Sequence, residues 1–353
     1  FAYHKIGLGT QQKQLHDLYQ FHLQFEKKRN KQEINSEYIL MDKMYCARLA
    51  STKEQYNLAQ KMLEYAKEEI DKIAEELYVE VCFVYTLIEK KYKTLDSAID
   101  FLKKEKKIYP NSIRLDIAYQ SHKAAKYLNS NPKKALEYYQ NIVHYSGISK
   151  SHSKSIGHAY VDILTCYLLL EDWKTFNEIY PKALEYVQAN AQFVEEGRIY
   201  NLDGLYYWIN GDLAFADISF RDAQFYLGLV HNQTLSALVK INFVGFLIAY
   251  DKKKEAALEC DIAYRLMKKN YSVIFKQIDS TENYRRHRAY AGLLALAEYS
   301  RALNLLELNR TMKEEIPIKA FREHLEIFEQ NVYPEEVFAD TYILHANIIC
   351  LTK

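Results

Sequence analysis

Small and aromatic residues recur along this chain at nearly constant intervals, and few folds accommodate such a pattern. The clearest copy runs from Tyr200 to Gly228. Aromatic Tyr200 is followed by Gly204, Tyr207, Gly211-Asp212, Ala216, Phe220 and Ala223, at offsets of 4, 7, 11, 16, 20 and 23. Spacings of three and four residues put such positions on one helix face. Gly211 is suited to end one helix with a positive φ, and Asp212 to begin the next. The pattern predicts two antiparallel helices that approach closely where Gly204 and Ala216 leave room, with Tyr207 and Phe220 filling the space beside them.

Weaker copies flank this unit. Ala47 pairs with Ala59, Leu63 and Ala66; Ala98 with Leu102, ending at Pro110; Ala124 and Tyr127 with Ala135, Tyr139 and Ile142. Leu164, Tyr167 and Glu171-Asp172 precede Phe176, Tyr180 and Ala183, and Ala256, Cys260 and Ala263 close the series. Markers at 59, 98, 135, 176, 216 and 256 advance in steps of 39, 37, 41, 40 and 40. The unit resembles the tetratricopeptide repeat, whose period is about 34 residues, with each pair lengthened by about one helical turn. The resemblance implies an all-α fold, a right-handed α-α superhelix of about six or seven helix pairs with a C-terminal capping helix. Residues 1–34 read as an N-terminal helical segment following a region that precedes Phe1, and residues 35–353 as one superhelical domain. Ten glycines and five prolines in 353 residues supply too few turns for a sandwich, a barrel or a doubly wound sheet. Two departures stand out: Pro181 should kink or restart its helix, and Ser146–Ser155 should form an enlarged turn.

Several function classes are disfavoured. Lys+Arg 47 against Asp+Glu 46 leaves +1, so no global charge draws the chain to nucleic acid or a membrane surface. The uncharged apolar stretches Ile241–Tyr250 and Thr341–Thr352 are shorter than the roughly 20 residues of a membrane span. Cys46, Cys82, Cys166, Cys260 and Cys350 are odd in number, far apart and set among apolar neighbours. They read as reduced core thiols, which places the chain in the cytoplasm. The motifs GxxxxGK[ST], GxGxxG, HExxH and GxSxG and the EF-hand loop are all missing. No enzyme activity, cofactor or metal is therefore expected. Glu195-Glu196 and Glu314-Glu315 read as solvated helix starts, favoured there by the helix dipole.

Binding is a different matter. In a superhelix of the tetratricopeptide kind, the first helix of each pair lines the concave surface. Arg198, Asn201, Leu205 and Trp208 should face inward in the best unit, and His158, Val161, Thr165 and Leu168 in the preceding one. Leu238, Ile241, Gly245 and Ile248 follow, with Asn242 adjacent. An Asn amide can donate to and accept from a peptide backbone, and Arg can grip a carboxylate with two prongs. The run Arg285-Arg286-His287-Arg288 could close such a groove over an acidic ligand. The candidate peptide-binding set is His158, Arg198, Asn201, Leu205, Trp208, Asn242, Arg285 and Arg288.

Pairs at steps near 40 with a groove Asn resemble the intracellular receptors for signalling peptides, the Rap, PlcR, Rgg and arbitrium-receptor group. The resemblance implies a short peptide bound in the groove, altered exposure of an N-terminal effector, and a homodimer. DNA would then be reached only through a region preceding Phe1. The competing expectation is a scaffold that holds a protein tail in the same groove, with no small ligand.

Overall fold

The structure, a computed structural model, describes residues 36–252 apart from 50–51, 129, 149 and 231–232, together with eight residues between 255 and 266. The readings for residues 1–35, Cys260, Arg285, Arg288, Cys350 and the C-terminal cap lie outside the described residues. Among the described residues, eleven α-helices with defined bounds follow one another and no strand occurs. They are α1 (Ser36–Leu49), α2 (Thr52–Glu68), α3 (Glu75–Tyr92), α4 (Leu95–Ile108), α5 (Ile113–Tyr127) and α6 (Pro132–Val143), then α7 (Ser153–Leu169), α8 (Trp173–Ala189), α9 (Phe193–Ile209), α10 (Leu213–Leu229) and α11 (Gln233–Ala249). The all-α reading in consecutive helix pairs is borne out. All six marker residues (Ala59, Ala98, Ala135, Phe176, Ala216 and Ala256) are 0% exposed.

Local chemistry sets the helix ends. Thr94 and Ser97 form a reciprocal capping box at α4. Asn131, Asp172 and Asp212 each accept from a backbone N–H in the first turn of α6, α8 and α10. The turn inside the best pair has Gly211 at φ 81°, as the sequence predicts. One step of 40 residues earlier and later, Glu171 and Asp251 adopt the same left-handed conformation, at φ 55° and 57°. The turn geometry is thus common to three repeats, although only one spends a glycine on it. Pro181 lies inside α8, which is a single helix rather than a restarted one. The Ser-rich stretch is entered through one short 3-10 turn, His144–Gly147, carries a second, Lys150–His152, and from Ser153 onward belongs to α7.

The described residues fall into two compact units, one ending at Lys123 and the other beginning at Ala124, so the division lies inside α5. The first unit is built around Leu40, Met62, Val81, Cys82, Val84, Leu102 and Leu115. There Arg114 makes a two-pronged bond to Glu80 at 2.9 and 3.1 Å while stacking on Phe83.

Close approach and a repeated link organise the second unit. A Cβ on Gly204 would lie 2.9 Å from the fully buried Phe220 ring, so α9 and α10 touch where the sequence places their small residues. The aromatic position of each second helix also reaches the residue 23 positions later, in the next first helix. Tyr139 hydrogen-bonds Asp162, Tyr180 hydrogen-bonds Asp203, and Phe220 meets Phe243 with ring centroids 5.8 Å apart. Two hydroxyl–carboxylate links are thus followed by an aromatic pair in the same place. Cys46, Cys82 and Cys166 are buried free thiols, and burial pushes the pKa values of Cys82 and Cys166 upward. Among the described residues, no helix is long and apolar enough to cross a membrane.

Candidate functional site

The first helices α7, α9 and α11 carry the described candidate residues. On α9, Glu195, Arg198, Asn201, Leu205 and Trp208 follow at spacings of three and four and so share a face. His158 and Asp162 occupy α7, and Asn242 and Gly245 occupy α11.

The structure brings His158 and Arg198 into one polar cluster. His158 Nδ1 lies 3.1 Å from Glu195 Oε1, and Arg198 Nη2 lies 3.2 Å from Asp162 Oδ1. Asp162 also receives the Tyr139 bond, so its carboxylate ties α6, α7 and α9 together. Desolvation, followed by the charges of Arg198 and Lys154, lowers the His158 pKa and keeps the ring neutral at physiological pH. Burial raises the Glu195 carboxyl pKa. The His158 side chain is still 42% exposed, which makes it the solvent-facing edge of the cluster.

Gln192 completes the arrangement, and the sequence reading missed it. It stands immediately before α9 and is 8% exposed, with both Nε2 and Oε1 unpartnered among the described residues. A Cβ on Gly157 would fall 1.8 Å from Gln192 Oε1, so the bare backbone of α7 is what admits this side chain. Glu195 Oε1 is likewise buried without an aligned hydrogen bond. A buried amide with neither end paired is costly, and the same group can donate to and accept from a peptide unit. The signal in the sequence was Gly157, a glycine within an otherwise helical pattern.

Other expectations need correction. Asn201, expected on an open groove wall, is 3% exposed, and its Oδ1 accepts a 3.0 Å bond from Asn242 Nδ2. Asn242 is 1% exposed, and its own Oδ1 has no partner among the described residues. Leu205, Val161, Thr165 and Leu168 are all buried, and Thr165 bonds back to Val161 O. Trp208 packs on the next repeat, edge-on to Phe246 and 3.1 Å from where a Gly245 Cβ would lie. Glu195 and Glu196 do open a helix, but they are buried rather than solvated, and Gln188 donates to Glu196 at 2.8 Å. First helices that pack closely on one another consume side-chain surface that an opened superhelix would expose. The side chains of Leu238, Ile241 and Ile248 lie outside the described set. Among the described residues, no group of three His, Cys, Asp or Glu could hold a metal ion.

No protein-family model matches the sequence, and no curated protein matches it. Solved structures do. A signal transduction ATPase with numerous domains from Pyrococcus horikoshii, described as carrying a tetratricopeptide repeat sensor, is 18% identical, with a TM-score of 0.53 over 84% of this chain and 44% of that one. BtubC from P. vanneervenii is 15% identical, with a TM-score of 0.47 over 69% of this chain and 94% of that one. A tetratricopeptide repeat protein from Parabacteroides merdae is 14% identical, with a TM-score of 0.44 over 83% and 99%. With the first of these as fold evidence and the six buried markers, the chain has a tetratricopeptide-like fold of consecutive helix pairs.

Proposed function

We propose that the chain is a regulatory binding module that recognises a short linear peptide on the first-helix face of α7 and α9. The observation that carries this reading is the Gln192 amide, buried with both ends open against Gly157, the residue before the part-exposed His158. One peptide group supplies the acceptor and donor that this amide lacks. Arg198 contributes by holding Asp162 and positioning α7 against α9. Receptor-like control of an effector, and DNA contact through a region before Phe1, rest on the resemblance to the signalling-peptide receptors.

Scaffolding without a small ligand is the second reading. Burial of Asn201 and Leu205 favours it, because these residues offer no open groove wall. The two readings separate in one experiment. A library of random peptides of about seven residues is selected on the full chain, and the recovered peptides are measured by calorimetry on wild type and Gln192→Leu. The module reading expects an affinity loss of about tenfold to a hundredfold, equivalent to leaving one buried hydrogen-bonding group unmet. Recovery of no peptide, or equal affinity for both proteins, would leave the scaffold.

A further inference from the structure

The outer face of α10 is apolar where its counterpart is not. Phe215, Ile218, Phe225 and Leu229 are 54%, 56%, 60% and 50% exposed. With Asp222 between them, they fall at spacings of 3, 4, 3 and 4, the a and d positions of two heptads, and form one stripe along the helix. The stripe lies away from Ala216, Phe220, Ala223 and Leu227, which face the core. One step of 40 residues earlier, the same positions on α8 are Thr175, Glu178, Lys182, Glu185 and Ala189, an ordinary solvated face. The repeat itself therefore does not demand the apolar stripe. Leu258, one step after Ile218, is likewise 61% exposed. Ala214 and Gly228 flank the stripe, and nothing lies within 4 Å of where a Gly228 Cβ would be, so another backbone can come close.

A heptad seam is the surface another helix packs against. The choice of occupant turns on charge and area. A second copy, antiparallel about the midpoint of the stripe, would set Asp222 against its own equivalent, two like charges in a drying interface. Four side chains about half exposed offer roughly 300–500 Å², given about 150–250 Å² for a whole aromatic residue, short of the about 800 Å² per partner of a stable complex between folded proteins. The neighbouring Arg221 is engaged by Asp217 at 3.1 Å and by Glu255 at 2.5 Å, and it does not neutralise Asp222. We propose that the outer face of α10 docks an amphipathic helix of another protein, apolar at its a and d positions and bearing Lys or Arg opposite Asp222.

The test uses the full chain and two synthetic three-heptad helices with Leu at a and d positions, one with Lys and one with Glu at the central a position. Fluorescence anisotropy should show the Lys peptide binding about tenfold more tightly than the Glu peptide. Asp222→Lys should reverse that order. Ile218→Glu and Phe225→Glu should each weaken the Lys peptide by more than about tenfold, with circular dichroism unchanged because both residues face solvent. Equal binding of the two peptides, no reversal in Asp222→Lys, or binding indifferent to Phe225→Glu would overturn the proposal. So would a concentration-dependent dimer in sedimentation that Phe225→Glu abolishes, since that assigns the stripe to a second copy.

Discussion

Asn242 on α11 donates its amide N–H to Asn201 Oδ1 on α9 at 3.0 Å, and both side chains are almost fully buried. The bond joins first helices of successive repeats, so these amides contribute to repeat stacking. Removing one partner leaves buried polar atoms of the other unmet. Asn201→Ala should therefore cost about 1–3 kcal/mol of stability in urea unfolding, and Asn242→Ala a similar amount. The double substitution should cost less than the sum, because nothing is then left unpaired. Strict additivity would show that the two amides do not depend on each other.

Gly204 and Gly228 make opposite predictions for the same substitution. At Gly204 a methyl group meets the Phe220 ring at 2.9 Å, and that ring is fully buried and cannot swing aside. Gly204→Ala should cost about 1–3 kcal/mol. At Gly228 a methyl meets nothing within 4 Å, and Gly228→Ala should stabilise α10 by up to about 1 kcal/mol through helix propensity alone. Equal shifts in melting temperature for the two variants would remove the close crossing of α9 and α10.

Glu171 and Asp251 hold the conformation that Gly211 holds without strain. A non-glycine residue there carries about 1–3 kcal/mol of backbone strain; glycine relieves it but loses about 0.4–1 kcal/mol because it makes the unfolded chain more flexible. Glu171→Gly should raise stability by roughly 1 kcal/mol, whereas Gly211→Glu should lower it. A stability loss in Glu171→Gly would mean that the Glu171 side chain matters more than its backbone.

Much of the architecture was legible because close packing leaves a periodic trace. Ala59, Ala98, Ala135, Ala216 and Ala256 are small where helices cross, and the spacing between them reveals the repeat. The site was less legible. Position along α9 correctly groups Arg198 with Asn201, but it cannot say that Arg198 is engaged by Asp162, 36 residues earlier, or Asn201 by Asn242, 41 residues later. Both partners come from neighbouring repeats, and their identity depends on how closely the first helices approach. Gln192 was missed because its burial depends on Gly157 in another helix, the one sign of it in the sequence. The links from Tyr139 to Asp162 and from Tyr180 to Asp203 were half visible: the aromatic positions were read from the repeat, and their acidic partners were not.

Asp203 turns such a link into a pH dependence. Its carboxylate accepts a 2.6 Å bond from Ser219 Oγ and another from Tyr180, yet desolvation dominates and pushes its pKa up to about 6 from the ordinary 3.8. Because the folded value is raised, the stability contributed by this group is fully present below about pH 4 and is lost as pH rises through about 6. The loss is of order 3 kcal/mol, at 1.36 kcal/mol per pKa unit. Asn in place of Asp still accepts from Ser219 but does not titrate. In urea unfolding, Asp203→Asn should therefore be more stable than wild type near pH 8, and the advantage should shrink between about pH 6 and pH 4. An advantage that stays constant across that range would show that the fold does not raise the Asp203 pKa.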